Sequence, residues 1–111
     1  MIPLVSFIGR HNAGKTTLVK NVIDHLRRMD LRVAVIKSTR HTGLVFDEPG
    51  SDTDSYRKAG AAPVALLAPD QMMMITGAPD QKLVDIVHRY FDDVDIVIGE
   101  GFKNEPRISK I

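Results

Sequence analysis

The segment Gly9-Arg10-His11-Asn12-Ala13-Gly14-Lys15-Thr16 fits the pattern G-x-x-x-x-G-K-[ST] and falls between a short apolar run and a helical periodicity. That placement constrains the fold more than any other stretch, because the pattern works as the turn from a buried strand into a helix. A glycine-containing turn directs successive backbone N–H groups inward, and the positive end of the following helix adds favourable potential for an anion. Lys15 then suits contact with outer phosphates. The Thr16 hydroxyl suits a magnesium ion, which takes only one or two oxygens from protein. Gly9, Arg10, His11, Asn12, Ala13, Gly14, Lys15, Thr16 and Thr17 form the expected phosphate-contact set, with Arg10 directed either at phosphate or at solvent. A bland glycine-rich turn that binds nothing has no need of Lys15-Thr16 directly after its last glycine.

The flanks agree with this reading. Ile2 to Ile8 is a mostly apolar run with β-branched and aromatic residues, as in a buried strand. Leu18, Val22, Leu26 and Met29 recur at helical spacing and predict a helix from about Gly14 to Met29. Leu31 to Ile36 is a second strand, and the helix between the two makes a βαβ unit with an expectation of parallel pairing. Ser38 to Thr53 is polar and turn-rich, too long for a minimal connection, and reads as an active-site loop. Asp54 to Ala59 predicts a short helix ended by Gly60, followed by strands over Pro63 to Leu67 and Met72 to Thr76. From Asp80 as N-cap, Leu83, Ile86, Val87, Tyr90 and Phe91 predict an amphipathic helix, and Asp95 to Gly99 a buried strand. Pro106 to Ile111 is either an extended edge strand or an ordered tail. The expected architecture is α/β, a three-layer P-loop NTPase fold with a mainly parallel central sheet flanked by helices.

A chain of 111 residues supports a single domain over residues 1–111. Its net charge of +1, with both signs interspersed, provides no polybasic footprint and argues against nucleic acid or an anionic membrane as partner. No window approaches 18 uninterrupted apolar residues, and no secretory leader pattern opens the chain, so the expected location is the cytoplasm. The absence of cysteine excludes disulfides, thiolate zinc sites and a cysteine nucleophile.

Beyond the loop, Ile96-Val97-Ile98-Gly99-Glu100 brings a carboxylate to the C-terminal end of an apolar strand, the edge where ligands of parallel α/β sheets gather. Glu100 there can hold magnesium or polarise an attacking water; taken alone, a solvated glutamate at a strand end is the commoner finding. Asp47, in the loop after the second strand, is a further candidate for the magnesium shell and for catalysis, in competition with Glu48, Asp52 and Asp54. Lys37 and His41 bracket the exit from that strand as candidate contacts for an anionic substrate. Lys103, Arg107 and Lys110 make the C-terminal segment basic, which suits a second phosphate-bearing ligand or ordinary surface charge; Lys103 is the substrate-binding candidate among them.

Taken together, Gly9 to Thr16, Val35-Ile36-Lys37 followed by His41, Asp54-Ser55-Tyr56-Arg57 leading into Ala59-Gly60-Ala61, and Glu100-Gly101-Phe102-Lys103 resemble the molybdopterin-guanine dinucleotide biosynthesis MobB family. The similarity extends over nearly the whole chain. It implies a GTP-binding accessory protein with GTP and Mg2+ as cofactors and weak GTPase activity. It also implies a homodimer that assists attachment of GMP to molybdopterin beside a separate guanylyltransferase partner. By position, the family's phosphate loop falls on Gly9 to Thr17 and its acidic strand-end residue on Glu100. Two features depart from the family: Ser38-Thr39-Arg40 stands where members commonly carry a His-rich run, and the chain stops soon after Glu-Gly-Phe-Lys. No N-K-x-D element selects guanine, so the preference for GTP over ATP comes from the resemblance. Two other functions fit the same residues: a small-molecule kinase, and a non-catalytic nucleotide-dependent adaptor.

Overall fold

A computed structural model describes residues 2–9, 14–78, 80–106 and 108–111. The chain contacts divide it into two compact units, Met1–Arg40 with Gln81–Ile111, and His41–Asp80.

The first unit is built on a parallel sheet. Strands β1 (Leu4–Phe7), β2 (Val33–Lys37), β5 (Ile96–Glu100) and β6 (Ser109–Lys110) lie in the order β2-β5-β1-β6. The anticipated pairing of β1 with β2 is therefore not made: they are parallel, but β5 lies between them, with Val5 opposite Ile98 on one side and Val35 opposite Ile98 on the other. The reason lies in composition. The run Ile96-Val97-Ile98-Gly99 has no polar side chain before Glu100, so it suits the position covered on both faces, and Val97 and Ile98 are 0% and 1% exposed. The C-terminal segment is the predicted edge strand, with Ser109 opposite Val5, extended by Ile111 N–H donating to the Ser6 carbonyl at 2.8 Å.

Helices cover both faces, giving the expected three layers. Helix α1 (Lys15–Arg28) packs Val19, Val22, Ile23 and Leu26 onto Phe7, Val33, Ile96 and Ile98. Its buried stripe is rotated from the predicted one: Leu18 and Met29 are 48% and 59% exposed, while Val19 and Ile23 complete the i, i+3, i+4, i+7 face with Val22 and Leu26. The helix closes in a Schellman motif, in which Asp30 at φ 63° donates to Arg27 O and Leu31 donates to Leu26 O. His25, Arg27 and Arg28 in the last turn complement its dipole. On the opposite face, helix α3 (Leu83–Tyr90) packs Leu83 and Val87 against Val97, with Leu4, Ile36 and Phe102 around them. Its N-cap is Lys82 rather than the predicted Asp80, and no side chain caps it. Burial of Leu83 at the first helical position fixes the start there, overriding the local capping preference of an aspartate two residues earlier.

The second unit holds helix α2 (Asp52–Lys58) and the antiparallel hairpin β3 (Val64–Leu67) and β4 (Met72–Ile75). These two strands form their own sheet rather than joining the parallel one. Ser51 caps α2 by accepting from the Asp54 N–H at 3.2 Å, and Gly60, at φ 110°, ends it with a second Schellman closure in which Ala61 donates to Tyr56 O. Leu67, Met72 and Met74 are exposed, leaving one face of the hairpin apolar and uncovered by its own unit.

Candidate functional site

The site grows from the C-terminal edge of the parallel sheet in the first unit. Gly9 follows β1 at φ 151° and Gly14 adopts φ 78°, ψ 8° as the N-cap of α1, both conformations that favour glycine. No side chain caps α1 and no acidic residue occupies its first turn. Its first helical bond runs from Leu18 N–H to Gly14 O, so the N–H groups of Lys15, Thr16 and Thr17 precede the helical ladder and suit an anion. Arg10, His11, Asn12 and Ala13 lie outside the described residues.

Lys15 folds back over the glycine turn. Its Nζ donates to the Gly9 carbonyl at 3.3 Å and stands 3.5 Å from Oε1 of Glu100. Glu100 is the last residue of β5, in register with Lys37 of β2 and with Phe7 of β1. Along a strand side chains alternate between faces, and Ile98 packs under α1, so Glu100 and Lys37 both project on the α1 side. Lys37 Nζ lies 3.7 Å from Oε2 of the same carboxylate. One carboxylate thus bridges two ammonium groups, one of them the lysine of the phosphate loop.

The backbone around Glu100 is pinned. Its carbonyl accepts from Ser38 N–H at 3.1 Å and from Ser38 Oγ at 3.3 Å, while Gly101 N–H donates to Phe7 O at 2.9 Å. Gly101 at φ 97° and Phe102 at φ 59° then turn the chain away from the sheet, with Phe102 packed into the α3 cluster. A Cβ on Gly101 would stand 2.2 Å from Ser38 Oγ, so only glycine permits this approach without displacement. Buried Ser6 donates its hydroxyl to the Gly101 carbonyl at 2.5 Å.

The remaining candidates are placed as follows. Thr16 and Thr17 are exposed in the first turn of α1. Lys103 is exposed in the turn closed by Glu105 N–H to Phe102 O, and His41 is exposed at the start of the second unit. Asp47 belongs to that second unit, where both carboxylate oxygens are engaged locally: Oδ2 accepts from Thr53 Oγ1 at 2.6 Å, and Oδ1 from Glu48 N–H at 3.0 Å and Ser51 Oγ at 3.3 Å. Of its competitors, Glu48 and Asp52 are exposed. Asp54 is buried and accepts from Gly50 N–H and Arg57 while pairing with Lys58 at 2.9 Å. The Lys58 ammonium and the Gly50 N–H hold its carboxyl below the usual carboxylate range.

Among the described residues, no group of three or more His, Cys, Asp or Glu side chains is gathered to hold a metal ion. Thr16 in the first turn of α1 and Glu100 at the end of β5 are oxygen-bearing side chains of the first unit, and a magnesium ion held by them would take most of its ligands from nucleotide and water. Residues that sequence reasoning passed over are Ser6, Ser38 and the structural role of Asp54. Ser6 is a polar residue inside an apolar run, and Asp54 stands three and four positions before Arg57 and Lys58; both signals are readable. Ser38 carries none.

A sequence model described as molybdopterin guanine dinucleotide synthesis protein B matches residues 4–111. The Escherichia coli K12 molybdopterin-guanine dinucleotide biosynthesis adapter protein is 36% identical over 115 residues, covering 100% of this chain and 65% of its own. The adapter protein of the same name from Haemophilus influenzae is 36% identical over 107 residues, covering 95% and 60%. The chain therefore spans less than two-thirds of the length of these curated relatives. Among solved structures, Bacillus subtilis MobB matches with a TM-score of 0.80 at 25% identity, over 98% of this chain and 66% of that one. A crystal structure of molybdopterin-guanine biosynthesis protein B matches with a TM-score of 0.71 at 30% identity, over 94% and 64%. The parallel sheet flanked by helices, the glycine turn leading into α1 and the match over residues 4–111 converge, and the chain belongs to the MobB family.

Proposed function

We propose that this chain is a GTP-binding accessory protein of molybdenum cofactor biosynthesis, assisting the conversion of molybdopterin to molybdopterin guanine dinucleotide in the cytoplasm, with weak GTPase activity. The observation that carries the reading is Lys15 Nζ held between Gly9 O and Glu100 at the uncapped start of α1. Similarity to proteins named as molybdopterin-guanine dinucleotide biosynthesis adapters supports the pathway; a guanylyltransferase and molybdopterin are the partners in this proposal.

In this reading the N–H groups of Lys15, Thr16 and Thr17 and the Lys15 ammonium bind the phosphates, with residues 10–13 completing the loop. Magnesium would supply charge neutralisation on the phosphate oxygens, with Thr16 and Glu100 as its protein ligands, whereas both Asp47 carboxylate oxygens are engaged within the second unit. Lys103 serves the anionic molybdopterin side, and Lys37 pairs with Glu100. Turnover is slow in this reading, as in small GTPases that lack an inserted arginine and so neutralise the transition-state charge incompletely. A homodimer is part of the same proposal, supported by the exposed apolar hairpin face of Leu67, Met72 and Met74.

Calorimetric titration with GTP and ATP, with and without Mg2+, tests this. GTP binds more tightly, magnesium strengthens it, and Lys15→Ala abolishes it; equal affinity for ATP removes the guanine part of the proposal. Hydrolysis of many GTP per second by the isolated chain, rather than about 10⁻² per second or less, removes the accessory part. The name of the relatives also favours a non-catalytic reading, in which nucleotide only shifts affinity for the partner. There Lys15→Ala abolishes partner binding, and Glu100→Gln leaves it intact.

A further inference from the structure

Lys37 ends β2 opposite Glu100, and the two side chains meet on the face where α1 begins. Glu100 is nearly enclosed, its side chain 15% exposed, and its backbone is fixed by Ser38 and Phe7; Lys37 is 62% exposed and free to adjust. The carboxylate divides its oxygens, Oε1 toward Lys15 and Oε2 toward Lys37. A polyphosphate entering the loop takes Lys15 as its own counter-ion, which leaves Glu100 with one cation and places a second anion beside it. Like charges at such separations repel, and partial burial weakens screening.

We propose that Lys37 is a positioning residue for nucleotide binding. It stays on Oε2 when Lys15 turns to phosphate, holds Glu100 in place, and offsets the repulsion between Glu100 and the phosphates until a divalent cation arrives. The ion pair thereby sets how strongly nucleotide binding depends on Mg2+. This rests on the nucleotide-binding reading above, and it gives Lys37 a partner inside the protein rather than on a substrate.

The test is titration of the full chain with GTP and with ATP, in EDTA and in Mg2+, for the wild type, Lys37→Gln, Lys37→Arg, Glu100→Gln and the Lys37→Gln/Glu100→Gln double variant. Lys37→Gln weakens metal-free binding by about three- to fivefold, the scale of a partly exposed ion pair, and weakens binding in Mg2+ less. Lys37→Arg restores the wild-type value. Glu100→Gln strengthens metal-free binding, and in its background Lys37→Gln has no further effect, as coupling through Glu100 requires. An equal Lys37→Gln effect with and without Glu100 shows direct contact between Lys37 and the nucleotide and overturns the proposal alone, as does no effect in either background. Failure of the wild type to bind GTP or ATP in either buffer overturns the nucleotide reading and this proposal with it.

Discussion

Ser6, in the middle of β1 and 0% exposed, donates its hydroxyl to the carbonyl of Gly101, the residue that follows Glu100. The bond joins the strand before the phosphate loop to the turn after the acidic residue. Replacement by alanine leaves that carbonyl without the hydroxyl donor, a loss of about 1–2 kcal/mol. Urea denaturation of Ser6→Ala is expected to show this as a lower midpoint with an unchanged slope.

Gly99 lies against the same serine. A Cβ at position 99 would stand 3.0 Å from Ser6 Oγ, 3.2 Å from Ser6 Cβ and 3.4 Å from Phe102 Cδ2. Gly99→Ala therefore overpacks the centre of the sheet and destabilises by about 1–3 kcal/mol. Combined with Ser6→Gly, which empties the space, the double variant is expected to lose less than the sum of the single losses in the same denaturation experiment.

Asp54 gives the second unit a pH dependence. Its folded pKa lies below the ordinary aspartate value, first through Lys58 and then through the Gly50 N–H. A depressed carboxylate stabilises fully above its unfolded pKa, and this contribution is lost as the pH falls through the lower, folded value. Thermal melts of Asp54→Asn should therefore lie below those of the wild type at pH 7. The gap should hold down to about pH 4 and close as the pH drops further.

Asp30 occupies the left-handed position that closes α1, at φ 63°, where Gly60 closes α2 at φ 110°. Asp30→Gly relieves the Cβ strain and is expected to stabilise by about 0.5–1 kcal/mol, whereas Gly60→Ala imposes such strain and costs about 1 kcal/mol or more. Paired denaturation curves should show shifts of opposite sign.

Much of the first unit was legible because its signals are local. The G-x-x-x-x-G-K-[ST] turn locates the junction of β1 and α1, and the unbroken apolar run 96–99 marks a buried strand with Glu100 at its end. Strand order was not legible, since β1 and β2 are consecutive in sequence and only the two-sided burial of β5 separates them. The buried face of α1 was misplaced by one position because Leu18 and Val19 are both apolar, and sequence cannot say which one meets Ile98. The Lys15–Glu100–Lys37 bridge was legible only as three separate candidates. Their meeting depends on the parallel register that sets Lys37 opposite Glu100.

The order β2-β5-β1-β6 also fixes a sequence of events during synthesis. β1 and β2 emerge early, yet each pairs with β5, and neither can join the sheet until Ile96–Glu100 has left the ribosome. The hairpin of β3 and β4 pairs residues close in the chain and does not wait for that strand. The last strand needed to assemble the sheet core is thus the one that delivers Glu100, so a nascent chain acquires its ladder and its acidic site residue in a single step.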